Sequence, residues 1–168
     1  EEGEFDGRLV KIVYICQSSG NELSVFVAFD DAEGYEVFGN NGNDAIDYRY
    51  ERRFNKTLLQ IGPENYDFFD LKPFIGFETT SDSASYFLTG IYLEDNVGTL
   101  FTNKPSNLIF TPSFGAGYYD NGDGKNLGNN IEFRTTFELN YRLKNNNRIG
   151  ISLGHISNAN LGDKNPGV

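Results

Sequence analysis

The clearest pattern along the chain is in residues 130–144, NIEFRTTFELNYRLK. Ile131, Phe133, Thr135, Phe137, Leu139, Tyr141 and Leu143 alternate there with Glu132, Arg134, Thr136, Glu138, Asn140 and Arg142. A period of two is the signature of a β-strand, whose successive side chains point to opposite faces. The same period predicts strands over 22–30, 44–54, 66–79, 84–93, 108–119 and 148–157, so that with 130–143 about seven strands are expected. Between them lie FGNNGND, TTSDSA, YDNGDGKNLGNN and KNNNR. Their Gly, Asn and Asp supply positive φ and local hydrogen bonds, so consecutive antiparallel hairpins follow.

Two stretches resist this scheme. LVKIVYIC (9–16) is apolar without clean alternation and stays unassigned between a further strand, a buried stretch and something peculiar to this chain, and 1–21 as a whole is unassigned, while 55–65 either extends the second of these strands or forms the turn after it. Pro63 lacks the amide donor of a central ladder position. No stretch places apolar residues at 3.6 spacing over a useful length, and no internal repeat stands out. The class is all-β, and 168 residues suit a single domain, 1–168.

Composition narrows the partners. A net charge of −10 would repel a phosphate backbone, so no nucleic acid is expected. Cys16 is the only cysteine and His155 the only histidine, so neither an internal disulfide nor a zinc cluster can form, and no metal or cofactor is expected. DNGDGKNLGNNIE (120–132) has an EF-hand flavour, but Gly122 and Gly124 stand where ligands three and five are required, and a hairpin loop is the plainer reading. Nucleotide-cradling glycine motifs and a G-x-S-x-G elbow are also missing.

The hydrophobic fraction is low, 38%, and no apolar run approaches the length of a membrane helix. A barrel strand needs only about ten residues with every second one apolar, so this chain remains compatible with a membrane. The acidic start, EEGEFDG, is unlike a signal peptide, and any such leader is expected to have been removed. Phe54, Tyr92, Tyr118, Tyr119 and Tyr141 near strand ends are candidates for interfacial girdles. Arg49, Arg52, Arg134, Arg142, Glu51, Glu132 and Glu138 are easier to place in a polar lumen than on solvated faces.

Candidate chemistry sits at the end of the chain. In 148–157, alternation puts Ile149, Ile151, Leu153, His155 and Ser157 on one face, and Arg148, Gly150, Ser152, Gly154 and Ile156 on the other. Residues two apart on a strand have α-carbons about 6.5–7 Å apart, close enough for an imidazole to take a serine proton when rotamers converge. A lone histidine at a strand end is commonly just an interfacial residue, so spacing by itself does not decide. The polar run Asn158, Asn160, Asp163 and Asn165 follows directly.

HISNA (155–159) with NPG (165–167) resembles the outer-membrane lipid A 3-O-deacylases, the PagL family, and the strand pattern of about 44–168 agrees. That resemblance implies an antiparallel eight-stranded up-and-down β-barrel in the bacterial outer membrane, with a His-Ser-Glu triad on its lipid-facing wall. It makes Ser157 the nucleophile and His155 the general base, with Asn165 and Asn158 at or behind the oxyanion hole. Lipid A or lipopolysaccharide is the implied substrate and outer-membrane lipid the surroundings, without a cofactor; a homodimer stays open. The family's acid is a glutamate about a dozen residues after the serine, which falls just past Val168 together with the eighth strand. The expectation is therefore a barrel left unclosed, since Glu132 and Glu138 lie on the opposite face and Asp163 in a loop. Two alternatives remain: a non-catalytic outer-membrane barrel whose acidic loops meet divalent cations, and a soluble barrel or sandwich with its aliphatic faces inward.

Overall fold

The structure, a computed structural model, describes residues 9–18, 21–28, 47–60, 70–102, 104–165 and 167; for 9–18 and 21–28 it describes the backbone only. The elements in chain order are β1 (Leu9–Ser18), β2 (Asn21–Ala28), β3 (Asp47–Phe54), β4 (Leu59–Gln60), β5 (Asp70–Thr80), β6 (Ser85–Tyr92), β7 (Asp95–Asn96), α1 (Val97–Thr102), β8 (Leu108–Asp120), β9 (Ile131–Arg142) and β10 (Arg148–Ser157). All pairings are antiparallel. The sequence-predicted strands are all present, although residues 29–30, 61–69 and the start of 44–54 lie outside the described residues.

The sheet closes on itself. Going round, β1 pairs β2, β2 pairs β3, β3 pairs β5, β5 pairs β6, β6 pairs β8, β8 pairs β9, β9 pairs β10 and β10 pairs β1. The eight-stranded antiparallel barrel expected from the resemblance is therefore present, with one correction. The place beside β10 that had been reserved for a strand beyond Val168 is held by β1, with Leu9 opposite Gly154 and Ile15 opposite Arg148. Alternation could not reveal this, because an apolar run without period two gives no face and hence no register.

Where side chains are described, from β3 to β10, the wall is polar inside and apolar outside. On β3 the burial alternates without a break, so Asp47, Arg49, Glu51 and Arg53 face inward, while Tyr48 and Tyr50 are exposed. Around the outer wall Ile75, Phe77, Phe87, Phe114, Phe137, Ile149 and Ile151 are each more than two-fifths exposed. Such a contiguous apolar belt would drive association in water but suits a bilayer. The soluble alternative needed these aliphatic faces inward, and they point out.

Inside, charges are paired in a chain across the lumen. Arg49 donates to Glu78 at 2.6 Å, Arg134 donates to Glu78 at 3.0 Å and also to Glu51, and Arg53 donates to Glu51 at 3.0 Å and Glu138 at 2.5 Å. Burying any one of these ions unpaired would cost several kcal/mol, which the alternating partners offset. A smaller apolar cluster of Phe74, Tyr86, Leu88, Tyr92, Leu127 and Ile156 packs together inside, with Tyr119 against it. Phe74 fits because its neighbours across the lumen wall are bare: a Cβ on Gly115 would lie 3.0 Å from its Cζ.

Three residues differ from the sequence expectations. Arg52 points outward over the Phe54 ring, 5.3 Å from its centroid, and Arg53 takes the inward place. Tyr92 is buried beneath Arg53 rather than in a girdle, and Tyr119 packs on the core; Tyr118 and Tyr141 are exposed on the outer wall. Period two counted from Tyr48 and Tyr50 puts Arg53, and not Arg52, on the inward face with Arg49 and Glu51.

Candidate functional site

β10 carries the candidate pair. Ile156 points into the barrel at 7% exposure, so its neighbours His155 and Ser157 stand on the outer wall, His155 exposed and Ser157 half-buried. They continue the lipid-type face of Ile149, Ile151 and Leu153. Across the ladder His155 is level with Thr135 and Ser157 with Phe133 on β9. Further round, Thr135 is level with Phe114 and Phe133 with Ala116 on β8. The rings of Phe114 and Phe133 lie 6.1 Å apart and nearly parallel, so the pair is flanked on this side by an aromatic wall.

His155 and Ser157 are not hydrogen-bonded to each other among the described contacts. Catalytic hydrogen bonds are commonly long before substrate arrives, and the spacing lets rotamer changes close this one. No carboxylate among the described residues accepts from His155. Glu132 and Glu138 are sealed in the lumen at 0% and 1% exposure, and Asp163 is exposed in the following loop. Glu132 accepts the Tyr86 hydroxyl at its backbone carbonyl, 2.8 Å.

The loop after Ser157 is built round Asn158, which is fully buried. Its Nδ2 donates to the carbonyls of Leu127 (2.8 Å) and Lys164 (2.6 Å), and its Oδ1 accepts from the amide of Asn160 at 2.9 Å. Its own amide donates to Oδ1 of Asn165 at 3.1 Å, and Nδ2 of Asn165 donates to Oδ1 of Asn160 at 3.3 Å. Both side-chain hydrogens of Asn158 are thus engaged in bracing, whereas exposed Asn165 keeps one amide hydrogen for another acceptor. The structure brings Asn158 and Asn165 together beside the pair.

Several contributors carry no chemical signal in the sequence. Ala159 and Asn160 follow the pair with φ of 52° and 63°, the left-handed region that ordinary residues avoid, which turns the chain sharply just beyond Ser157. Gly128 sits so close to this loop that a Cβ would lie 2.3 Å from the Lys164 carbonyl. Gly167, at φ 61°, leans on the histidine: a Cβ there would lie 3.0 Å from Cε1 and 3.8 Å from Nε2 of His155. In the sequence, Gly128 and Gly167 look like ordinary turn glycines, since the partner each touches is distant along the chain or is a side chain.

The site therefore combines a nucleophile-type hydroxyl, an imidazole and a rigid amide-rich loop at the rim of an apolar belt, an arrangement suited to acyl transfer on a lipid ester. No curated protein and no solved structure matches this chain. The sequence model of the lipid A 3-O-deacylase (PagL) family matches residues 65–168, more than half of the chain, which includes β5 to β10 and the whole candidate site. The chain belongs to the lipid A 3-O-deacylase (PagL) family, a family of outer-membrane β-barrels that deacylate lipid A.

Proposed function

We propose that this chain is itself a serine esterase that removes an ester-linked acyl chain from lipid A or a related glycolipid, working at the outer membrane. The observation that carries the reading is the outward placement of His155 and Ser157 on the lipid-type face of β10. Lipid ester bonds lie at the boundary between acyl chains and headgroups, where an outer-wall pair near a strand end can meet them without extracting the lipid.

In this reading His155 takes the proton of Ser157 as its oxygen attacks the ester carbonyl. The tetrahedral oxyanion is held by amide donors of the 158–165 loop, with Asn165 the candidate side chain and Asn158 the brace. Collapse expels the sugar alkoxide, which receives the proton from His155. Water, deprotonated by the same imidazole, then releases the fatty acid from Ser157. A carboxylate on the far nitrogen of His155 would complete the triad, and Asp163, Glu132 and Glu138 do not contact it in this structure.

Mass spectrometry of lipid A from cells producing the wild type, Ser157→Ala or His155→Ala is the test. The wild type is expected to yield lipid A lighter by one acyl chain, and each variant to lose at least about a thousandfold in rate while keeping heat-dependent gel migration. A folded variant with wild-type turnover would overturn the assignment. The second reading is a non-catalytic barrel of the same architecture, and unmodified lipid A with folded wild type would establish it.

A further inference from the structure

The end of the barrel opposite His155 carries an apolar feature with no role in the reading above. β10 runs from Arg148 to Ser157, about 30 Å of strand and, once tilted, close to the 25 Å height of an outer-membrane belt. At the Arg148 end β7 pairs with β8 through Asp95–Phe110 and Asn96–Ile109, and α1 follows immediately. None of the residues of α1 is buried; Phe101 is 81% exposed and Leu100 39%.

The loop that holds α1 is tightly fixed. Asn96 caps the helix, its Oδ1 accepting from the amide of Gly98 at 3.0 Å and from the amide of Ser106 at 2.8 Å, while its Nδ2 donates to the Ser106 carbonyl at 2.6 Å. The hydroxyls of Thr99 and Thr102 donate back to the carbonyls of Asn96 and Gly98. A Cβ on Gly98 would lie 2.3 Å from the Lys104 carbonyl, so the loop closes directly on the helix. Polar groups are satisfied within the loop and apolar side chains are turned out, which is costly in water.

Two further observations name the occupant. The outer belt continues to this end through Leu108 and Tyr141, level with each other on β8 and β9, and Leu139. The exposed cations Lys56, Lys104 and Lys144 lie in connections at the same end. Among the described residues the acids at this end are Glu94, paired with Arg148, Asp70, which accepts from the Thr57 hydroxyl, and Asp95, which accepts from the Asn96 amide. At the opposite end the exposed charges include Asp120, Asp123 and Asp163, with Lys164.

We infer that α1 is a membrane-interface anchor, with Leu100 and Phe101 among the acyl chains just beneath the headgroups and the lysines at the phosphates of an anionic leaflet. The barrel is thus held at this boundary of the bilayer, which fixes the height at which its outer-wall residues stand. The anchor is independent of whether Ser157 is a nucleophile.

The chain has no tryptophan, so Phe101→Trp places a single reporter in the whole protein. The variant is folded into phosphatidylcholine vesicles with and without phosphatidylglycerol, with heat-dependent gel migration to select the folded fraction. Expected are blue-shifted emission, quenching by lipids brominated near the carbonyl end of the acyl chain, and protection from iodide. Water-like emission quenched by iodide would overturn the anchor, as would blue-shifted emission that brominated lipid does not quench, which would mean a covering protein or second copy. Equal bromine quenching with and without phosphatidylglycerol would overturn the part given to the lysines.

Discussion

At the residue scale the site depends on small groups around His155. Gly167 has a left-handed φ and touches the imidazole edge, so Gly167→Ala is expected to strain the backbone by about 1–2 kcal/mol and push the ring aside. Deacylation should then fall about 10- to 100-fold while the barrel stays folded, read by fatty-acid release beside the gel shift. Asn158→Ala removes two donated bonds and one accepted bond in a fully buried place. A loss of about 2–4 kcal/mol is expected, seen as a lower urea midpoint and faster proteolysis within 158–165. The pair His155 and Ser157 was legible in the sequence because period two assigns a face without any tertiary knowledge. The partners of Asn158 were not, since they come from Leu127 and Lys164, and an asparagine in a polar run looks like any turn residue.

At the element scale, strand phase is what the sequence encodes well and register is what it encodes poorly. β9 could be read almost residue by residue, whereas β1, largely apolar and without clean alternation, gave no phase, and its pairing with β10 emerged only from the fold. One contact ties two elements in a titratable way. Glu94, in the connection after β6, is pushed up by burial but more strongly held down by two hydrogen bonds and the charge of Arg148, with Arg53 and Lys72 adding to it, so its carboxyl lies below the ordinary range. A depressed folded-state value means that its contribution is complete above the unfolded carboxylate value and is lost as pH falls through the folded one. Glu94→Gln is therefore expected to lower stability at neutral pH by about 2–4 kcal/mol and to flatten the acid limb of a urea-midpoint profile. An unchanged acid limb would show that this contact does not link β6 to β10 energetically.

For the whole molecule, the distribution of polarity decides where chemistry can occur. The outer wall meets hydrocarbon and carries the histidine, the serine and the apolar helix face; the inner wall carries the arginines and glutamates. Arg49, Arg53, Arg134, Phe74, Tyr86 and Leu88 are each at most 2% exposed, and the ion pairs of the three arginines with Glu51, Glu78 and Glu138 cross the lumen. Among the described residues these pairs span the interior, and a file of water would have to break several of them at once. Reconstituted in a planar bilayer, the protein is expected to be electrically silent, and discrete single-channel steps would contradict this packing. The molecule resembles a pore only in outline. In energetic terms the described lumen is closer to a peg than to a pipe, and the apolar surface is its side.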